Sequence, residues 1–396
     1  MKDNYEMDDL WFGKLPSHWA VNKIGQLYRE RKTKVSDYDY PALSVTMQGI
    51  LPQLEHAAKT DAHDDRKLIR KGDFVINSRS DRRGSCGISD FDGSCSLINT
   101  VLAPKTEMNP QYYNWFFHTT RFAEEFYRWG HGIVDDLWTT RYEDMKRIMI
   151  PVPPLKEQER IASYLDKKCA AIDEAIARRQ QMNEKLEEYR KAIIYRAVTK
   201  GLDSCAEMKD SEVSWIGRMP SSWDLKAAKH CVKIEHGSDP KTEGDVPVYG
   251  SGAISFKTCG EFKEGPTVLI GRKGATLHIP HYIEGRFWNV DTAFNVTAKE
   301  DYDLEFYYYV ATVLDYKYYM TQTTLPSMTQ FDYLNMKIPC PPKKEQIRIV
   351  CWLSDMCEKI DDVYARNVEL IIRLEEYRKS IIYNAVTGKI DCREAV

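Results

Sequence analysis

The chain has 396 residues, 43% hydrophobic and 29% charged, which is the composition of an ordinary soluble protein with room for two or three cores. No apolar run approaches the ~20 residues that cross a bilayer. The polar, acidic first residues do not resemble a signal peptide, so we expect a cytoplasmic protein without membrane contact. A net charge of −3 excludes a uniformly basic surface, but phosphate binding needs only local clusters of lysine and arginine.

The ten cysteines are scattered along the chain. They form no C-x-x-C pair and no cluster with histidine at the spacing of a zinc site. We therefore expect buried free thiols and no metal site.

The sequence contains an internal repeat. A Trp/Pro motif at residues 11–19 returns at 215–223, an offset of 204 positions, and LEEYRK at 186–191 returns at 374–379, an offset of 188. We call the repeated parts, the Trp/Pro motif and the LEEYRK segment, the frame. The two copies of the frame carry inserts of different length, and we interpret the tryptophans as residues that anchor the frame by packing. A frame with approximate two-fold symmetry and two different faces suits a ligand such as duplex DNA.

The first insert, about residues 20–147, has the pattern of a mixed α/β module dominated by short strands. A strand at 72–77 leads into a polar loop that carries three candidate DNA-binding residues, Arg79, Arg82 and Arg83. Arginine on a glycine-flanked loop pairs with guanine or clamps a phosphate. The alternative is a solvated turn in which Asp81 neutralises its neighbours. An aromatic-rich helical stretch is predicted at 112–129.

Each insert ends in a proline gate, at residues 150–154 and 338–342, followed by Glu-Gln at 157–158 and 345–346. Proline fixes φ near the helical value, and a glutamate in the first turn meets the positive end of the helix dipole. After each gate, apolar residues recur in alternating steps of three and four, the pattern of a coiled-coil seam.

We predict that the two long helices, each of roughly 42 residues and about 60 Å, pair antiparallel and hold the inserts at opposite ends. Polar residues interrupt the seam near its middle, where they fix the register: Arg179, Asn183 and Asn367. Gly201 and Gly388 are the predicted termination points.

The second insert, about residues 224–335, repeats the plan of the first. A strand at 266–270 leads into a loop with three more candidates, Arg272, Lys273 and Thr276. A later strand at 290–293 is matched to residues 98–101, and an aromatic stretch follows at 306–319. The polar loops differ, so the sequence leaves open whether Arg79 corresponds to Arg272.

Four further polar side chains are second-rank candidates for DNA contact. Gln48 and Ser251 lie on glycine-bearing turns at corresponding places, where an ordinary hairpin turn is an equally good explanation. Arg141 and Gln330 lie just before the gates. There they donate to phosphates or base edges, or the segment caps the following turn.

A charged, aromatic helix face occurs identically in both copies: Glu187, Tyr189 and Arg190 in the first, and Glu375, Tyr377 and Arg378 in the second. Solvated helix faces with i,i+3 and i,i+4 pairs explain such a pattern. Its repetition, beyond what seam packing requires, equally favours a docking surface for a partner.

Motifs of catalysis are absent from the sequence. There is no phosphate-binding G-x-x-x-x-G-K-[ST] loop, no G-x-G-x-x-G after a strand, no H-E-x-x-H and no G-x-S-x-G. Nor is there an Asn/Asp-Pro-Pro-Tyr/Phe segment of the kind that holds a base for amino-methylation. We interpret the chain as a binding protein and not an enzyme.

The combined motifs resemble the DNA specificity (S) subunits of type I restriction-modification systems. The likeness rests on W-x-G-x-x-P-x-x-W at 11 and 215, I-P-x-P-P-x-x-E-Q at 150 and 338, L-E-E-Y-R-K-x-I-I-Y at 186 and 374, and A-V-T at 197 and 385. It covers nearly the whole chain. The resemblance implies two target recognition domains that each read half of a bipartite, non-palindromic DNA sequence.

The resemblance also implies partners. Two methyltransferase subunits, which carry S-adenosylmethionine and methylate adenine, would dock on the helices, and restriction subunits using ATP and magnesium would join them. This chain itself would hold no cofactor and perform no catalysis.

The predicted fold class is therefore α+β, with two mixed α/β recognition domains joined by two long antiparallel helices in a pseudo-two-fold repeat. We assign residues 1–150 and 205–338 to the recognition domains, and residues 151–204 and 339–396 to the helical spacers. The alternative function is a duplicated coiled-coil scaffold for proteins, without DNA specificity.

Overall fold

The computed structural model describes residues 10–53, 63–79, 83–132, 138–321 and 326–392. The chain forms two compact units, the first from residues 1–179 with 369–396, and the second from residues 180–368. Each unit thus contains one insert and a segment of each long helix. Within the described ranges no helix combines the length and the apolar character that a membrane span needs.

The first unit contains eleven described strands and the start of a long helix. Its strands are β1 (Ala20–Lys23), β2 (Tyr28–Glu30), β3 (Lys34–Val35), β4 (Leu43–Thr46), β5 (Gly49–Pro52), β6 (Arg66–Ile69), β7 (Phe74–Asn77), β8 (Cys86–Ile88), β9 (Gly93–Ser96), β10 (Asn99–Pro104) and β11 (Met149–Val152). Its helices are α1 (Ile24–Leu27), α2 (Pro110–Phe117), α3 (Thr120–Arg128), α4 (Tyr142–Met145) and α5 (Leu155–Lys200), the last of which continues into the second unit.

An antiparallel sheet in the order β2-β10-β7-β8 forms the centre of the first unit. All four residues of β7 are buried, because successive side chains enter different cores. Phe74 belongs to an aromatic cluster and stacks on Phe117 with 3.9 Å between ring centroids. Val75 belongs to a separate core with Val45 of β4. The strand that leads into the candidate loop is therefore held from both sides.

The two ends of the first insert meet at the start of α5. β1 pairs antiparallel with β11, from Ala20 opposite Val152 to Lys23 opposite Met149. The predicted proline gate is thus partly a strand, and Pro151 is tolerated because this ribbon has only two strands and needs no second ladder. The first insert therefore begins and ends at the same place, beside the start of α5.

The second unit contains the remaining strands and helices. Its strands are β12 (Met208–Asp210), β13 (Arg218–Pro220), β14 (Asp224–Ala227), β15 (Val232–His236), β16 (Val246–Tyr249), β17 (Lys257–Cys259), β18 (Lys263–Glu264), β19 (Thr267–Gly271), β20 (His281–Ile283), β21 (Arg286–Asn289), β22 (Ala293–Ala298) and β23 (Lys337–Cys340). Its helices are a 3-10 turn (Ala228–His230), α6 (Leu304–Val313), α7 (Tyr316–Tyr319), α8 (Gln330–Asn335) and α9 (Lys343–Val386), which runs on into the first unit.

The central sheet of the second unit has the same plan as that of the first. Its order is β15-β22-β19-β20, and β14 pairs with β23 as β1 pairs with β11. The remaining strands differ. The second unit has a four-stranded sheet β17-β16-β21-β18, whereas the first has β3-β6-β9 and the hairpin β4-β5. A shared frame with different additions agrees with the predicted pair of non-identical inserts.

The Trp/Pro motif is tied to the first turn of the following helix in both units. Trp19 donates its indole Nε1–H to Glu157 Oε2 at 2.9 Å, and Trp223 donates to Glu345 Oε2 at 3.0 Å. Both indoles are buried, Trp223 completely. Trp19 and Trp223 are therefore packing anchors, as the sequence predicts, and each has one polar partner.

The glutamine that follows each glutamate is buried and joins three chain segments. Gln158 donates to the Pro153 carbonyl at 2.8 Å and accepts from the Asn109 amide at 2.9 Å. Gln346 repeats these bonds with Pro341 at 2.8 Å and Asp303 at 2.7 Å. Because Asn109 and Asp303 cap α2 and α6, each glutamine fixes the aromatic helix against the gate.

The long helices pair antiparallel within each unit. In the first, Arg378 Nε of α9 donates to Asp173 Oδ1 of α5 at 2.8 Å. In the second, Arg190 Nη2 of α5 lies 2.5 Å from Asp361 Oδ2 of α9. The two ion pairs occupy equivalent repeat positions, so the same contact is made twice. Both exposed pairs contribute modestly, about 0.2–1 kcal/mol each.

One polar contact in the seam has no counterpart. Asn367 Nδ2 donates to Asn183 Oδ1 at 2.8 Å, and both side chains are buried. The repeat positions that match them hold Arg179 and Ile371. The predicted interruption of the seam is thus a specific asparagine pair in the second unit.

Both long helices end before the predicted glycines, Gly201 and Gly388, at φ of +73° and +70°. A Cβ at Gly201 would lie 3.1 Å from the ring of Trp223, and one at Gly388 would lie 3.0 Å from Trp19 and 2.5 Å from Pro16. Each end therefore needs glycine both for its left-handed backbone and for the close tryptophan.

Two sequence expectations on the aromatic stretches needed revision. The stretch at 112–129 is two helices, since the Thr119 side chain accepts from the Phe122 amide and starts a second one. The stretch at 306–319 likewise breaks between α6 and α7.

All ten cysteines are free thiols, and the described residues contain no group of three side chains able to hold a metal ion.

Candidate DNA interface

The loops after β7 and β19 leave equivalent edges of the two central sheets. Asn77 pairs with Asn99 at the end of β7, and Gly271 pairs with Ala293 at the end of β19. The sequence match of 98–101 with 290–293 is therefore wrong by two positions. Residue 99 corresponds to residue 293, because the ladder and not local similarity determines the register.

The same register decides which loop residues correspond. The Ser78 amide donates to the Ile98 carbonyl at 3.3 Å, and the Arg272 amide donates to the Thr292 carbonyl at 2.8 Å. One residue further on, Arg79 forms a β-bridge with Thr139, and Lys273 forms one with Ser327. Arg272 thus corresponds to Ser78, and Lys273 corresponds to Arg79. Arg79 and Arg272 therefore do not occupy equivalent positions, which answers the question that the sequence left open.

Four cationic side chains line one concavity of the first unit, among hydroxyl groups of residues 78, 100 and 139: Lys32, Lys67, Arg79 and Arg141. Two carboxylates, Glu30 and Glu143, also line it. A hydrogen bond from Lys146 lowers the pKa of Glu143, so this carboxylate stays ionised and offsets part of the positive charge. The concavity retains an excess of donors suited to phosphate oxygens.

Sequence reasoning found Arg79 and Arg141 but missed Lys32 and Lys67. Lys67 lies in β6, where its Nζ donates to the Asn99 carbonyl at 2.7 Å, and Lys32 follows β2. Each lysine lies in a short run of basic residues, at 29–34 and at 66–71, and these runs were the signal that could have identified them. The runs alone do not say which of their side chains share one concavity, because that depends on the pairing of strands distant in sequence.

The two remaining candidates of the first loop differ in outcome. The Arg83 guanidinium lies over the Tyr127 ring, 3.4 Å from its centroid, and both line a second cavity beside Arg79. A guanidinium stacked in this way is held flat and keeps its edge N–H groups for a ligand. Arg82 lies outside the described residues.

The second unit gathers four of the predicted side chains on two adjoining loops. Arg272 Nη1 donates to the Asp291 carbonyl at 3.1 Å and lies 3.4 Å from its carboxylate, with about a third of the side chain exposed. Ser251 and Thr276 hydroxyls are 3.2 Å apart. A Cβ at Gly274, whose φ is +117°, would lie 3.0 Å from Ser251 Oγ, so glycine permits this close approach. Lys273 lies between these contacts in the chain.

Gln48 and Gln330 have different surroundings. Gln48 is exposed at the tip of the β4-β5 hairpin, where its backbone N–H donates to Thr46 Oγ1 at 3.1 Å. Gln330 is half-buried and donates its side-chain amide to the Ile234 carbonyl at 2.7 Å. Its counterpart Tyr142 makes the same kind of bond to Tyr28 at 3.3 Å. Gln330 therefore braces the edge strand with one of its polar groups.

The repeated helix face divides into an ion-paired part and an exposed part. Arg190 and Arg378 form the interhelical ion pairs described above. Tyr189 and Tyr377 are 49% and 54% exposed, and Glu187 and Glu375 are exposed beside them. The arginines thus contribute to the seam, and the tyrosines and glutamates present a surface.

Two sheet-and-helix modules with different polar loops on one repeated helical frame define a protein that recognises two different stretches of an extended ligand. The family model for the type I restriction modification DNA specificity domain matches residues 16–188 and 225–370. The chain belongs to this family: it is a type I restriction-modification DNA specificity subunit with two recognition domains, and as such it is not itself catalytic.

Similar proteins agree with this assignment. The specificity subunit of the type I restriction enzyme MjaVIII from Methanocaldococcus jannaschii is 23% identical over 95% of this chain and 94% of its own length. The StySPI specificity subunit of Salmonella potsdam is 25% identical over 51% of this chain and 47% of its own. The resemblance inferred from the motifs is confirmed, and the alternative of a protein scaffold without DNA specificity is not favoured.

Solved structures share the fold. A chain from a study of complex assembly and conformational transition of the type I R-M system matches with a TM-score of 0.77 and 17% identity, over 95% of this chain and all of that one. The HsdS subunit from Thermoanaerobacter tengcongensis matches with a TM-score of 0.56 and 18% identity, over 95% and 98%. The predicted α+β class with a helical repeat is confirmed.

Proposed function

We propose that this subunit reads a bipartite, non-palindromic sequence in duplex DNA, with one half-site for each recognition domain. In the cytoplasm it recruits two methyltransferase subunits and, with them, restriction subunits. Those partners carry S-adenosylmethionine, ATP and magnesium, and this chain contributes sequence recognition and assembly.

The observation that carries the proposal is the difference at one repeated strand end. The frame presents Ser78-Arg79 after β7 and Arg272-Lys273 after β19, at the same register. Arginine forms a bidentate pair with guanine O6 and N7. Lysine offers a single compact ammonium group, and serine offers a hydroxyl on a short side chain. Two domains with the same backbone and different donors therefore favour different base sequences, as a non-palindromic target requires.

The helices support a spacing role. α5 is continuous over 46 residues and α9 over 44. In each unit they pair through the ion pair at Asp173 or Asp361. A paired helix of this kind resists bending, so it is suited to holding two reading domains at one distance.

The exposed part of the repeated face supports the partner proposal. Tyr189 with Glu187, and Tyr377 with Glu375, offer the same aromatic and acidic side chains twice. Tyrosine is enriched at protein interfaces because it buries a large ring and keeps a polar group. Two equal surfaces suit two copies of one partner.

Methylation mapping tests the proposal. The subunit is produced with its methyltransferase partners in cells that lack other adenine methylation, and methylated adenines are mapped across the genome with and without it. We expect one bipartite motif that appears only with this subunit. Methylation at a single continuous motif, or the same motif without this chain, would contradict the proposal.

Matched variants show which recognition domain reads which half-site. Arg79→Ala should relax only one half-site, and Lys273→Ala at the equivalent position only the other. Double replacement of Tyr189 and Tyr377 by alanine should instead reduce methylation at all sites by the same factor, because it weakens partner binding and leaves the motif intact.

A further inference from the structure

The ammonium group of Lys263 lies where the two four-stranded sheets of the second recognition domain meet. Lys263 belongs to β18, in the sheet β17-β16-β21-β18, which we call the accessory sheet of this domain. Its Nζ donates to Asn289 Oδ1 at the end of β21 at 2.8 Å, to Asn295 Oδ1 of β22 at 2.6 Å, and to the His236 carbonyl at the end of β15 at 3.3 Å. Because β15 and β22 belong to the central sheet, one side chain joins both sheets.

These three hydrogen bonds use the whole donor capacity of the ammonium group. A lysine side chain has three N–H donors and no acceptor. The ammonium also lies 5.5 Å from the centroid of the Trp288 ring. Lys263 therefore has no donor left for a DNA phosphate, and its role lies inside the domain.

The ammonium determines how the side-chain amide of Asn289 is oriented. Asn289 is fully buried. Because Lys263 can only donate, the amide must present its oxygen to the ammonium and its N–H groups to the opposite side. There Asn289 Nδ2 donates to the Ala293 carbonyl at 2.8 Å. Lys263 and Asn289 together thus close the turn formed by residues 289–293.

The turn that this hydrogen bond closes is also the support of Arg272. It connects β21 to β22, so the chain passes there from the accessory sheet to the central sheet. The Thr292 carbonyl accepts from the Arg272 amide at 2.8 Å, and the Asp291 carbonyl accepts from Arg272 Nη1 at 3.1 Å. The turn thus holds both the backbone and the guanidinium of Arg272, and a shift of the turn moves the guanidinium with it.

The first unit restrains the corresponding carbonyl group from a different strand. Residue 99 corresponds to residue 293, and the Asn99 carbonyl accepts directly from Lys67 Nζ at 2.7 Å. Lys67 belongs to β6 in the sheet β3-β6-β9, and the chain leaves that sheet for the central one between β9 and β10. Two sheets of different topology therefore each provide a lysine at the same crossover. A contact that recurs where the strands do not favours a requirement of the adjoining loop.

We propose that Lys263 is a positioning residue for base recognition, which acts through Asn289 and the turn 289–293 to hold Arg272 in the orientation that reads one base pair. This inference rests on the proposed reading of a half-site by the second recognition domain, and it adds a residue that does not touch the DNA. A bidentate contact requires a defined geometry, so the specificity of an arginine depends on the groups that orient it.

The test is equilibrium titration of the assembled methyltransferase, at several salt concentrations, with duplexes altered at single base pairs of both half-sites. We expect Lys263→Met to reduce discrimination about two- to thirty-fold, the range for residues that act through a contact network, and only at the base pair that Arg272→Ala affects. The double variant should show no further loss there, because both changes act on one contact. The salt slope should keep its wild-type value, since no phosphate contact is removed.

Further variants separate the hydrogen-bonded link from the charge. Asn289→Asp keeps the shape and still accepts from Lys263, but it cannot donate to the Ala293 carbonyl, so we expect the same base pair to be relaxed. Lys263→Arg keeps a cation with several donors and should retain most of the discrimination. Lys257→Met removes an exposed cation from β17 of the same sheet and should leave discrimination unchanged.

The half-site that Arg272→Ala leaves intact is the internal control for folding and assembly, because both half-sites are read in one complex. Unchanged discrimination with Lys263→Met, or an equal loss at every base pair, would overturn the inference. A smaller salt slope would also overturn it, because Lys263 would then be a phosphate contact. A wild-type complex that discriminates in neither half-site would instead overturn the proposed function itself.

Discussion

The side chains at the ends of β7 and β19 determine what each recognition domain presents to a ligand. Both strands are buried and held by their neighbours, so the backbone there is rigid. Arg272 lies where the first domain has Ser78, and it is oriented by Asp291. A long cation in place of a hydroxyl changes both the reach and the charge of the loop.

The first residue-scale prediction concerns Arg272→Ala. We expect the loss of one bidentate contact to reduce discrimination by about 1–3 kcal/mol, in one half-site only. Equilibrium titration of the assembled methyltransferase with duplexes altered at single base pairs measures this. Ser78→Ala, at the matching position, should leave that half-site unchanged. An equal loss for all sequences with a smaller salt slope would make Arg272 a phosphate contact.

The second residue-scale prediction concerns the indole bond of the repeated motif. Trp223→Phe keeps a buried ring but removes the donor to Glu345. We expect a loss of about 1.5–3 kcal/mol in the free energy of unfolding, the range for hydrogen bonds to charged groups. Urea unfolding of the full chain measures it, and Trp19→Phe should cost a similar amount. If Trp223→Phe and Glu345→Ala are additive in the double variant, the bond contributes nothing.

At the scale of secondary-structure elements, the alignment of the two long helices is the feature that must be fixed. The seam between the long helices repeats its ion pairs, but the Asn183 and Asn367 contact occurs once. In a duplicated chain, apolar seams alone permit several alignments of similar energy. A polar pair that is satisfied only when these two positions meet selects one alignment, at a cost in stability.

The element-scale prediction separates these two effects. Asn367→Leu leaves the buried Asn183 amide without its partner, so we expect a loss of about 1–3 kcal/mol in the free energy of unfolding. The double replacement of both asparagines by leucine should recover the stability or exceed it, since no polar group is then buried unpaired. Urea unfolding of the three proteins provides the comparison. A double variant less stable than the single one would contradict this account.

The long helices were predictable because their signals are local. A proline gate, a glutamate in the first turn and a heptad pattern lie within one segment, and Gly201 and Gly388 end the helices as expected. The register of the recognition strands was not predictable in this way. Whether Arg79 matches Arg272 or Lys273 depends on strand pairing with residues about 20 positions away. The residue pattern of such short strands does not reveal their pairing register.

The candidate site was predictable only in part, for the same reason. Arg79, Arg141, Arg272 and Lys273 stand out because they lie in loops beside glycine or just before a gate. Lys67 looks like any strand lysine until β6 and β10 are placed together, with Lys67 Nζ on the Asn99 carbonyl. The role of Gln330 was also hidden, because its partner Ile234 is 96 positions away.

At the scale of the whole molecule, the helices should set the distance between half-sites. Seven residues added to α5 after residue 179, and seven to α9 after residue 368, lengthen each helix by about 10 Å. We expect the gap between half-sites to increase by about three base pairs, since bases rise ~3.4 Å per step. Methylation mapping reads the gap directly. An insertion in one helix alone should abolish methylation, because the seam is then out of register, and an unchanged gap with both insertions would remove the spacer role.

The composition of the first unit has a consequence for biosynthesis. Its core contains Ile381, Ile382, Ala385 and Val386, and the Tyr112 hydroxyl donates to the Val386 carbonyl at 2.8 Å. The ribosome makes these residues more than 200 positions after the aromatic side chains of α2 and α3 with which they share a core. The second unit, which is one continuous segment, can therefore close first, and the aromatic cluster at the amino-terminal side stays uncovered until translation has passed residue 386. In this chain the unit that begins first is completed last.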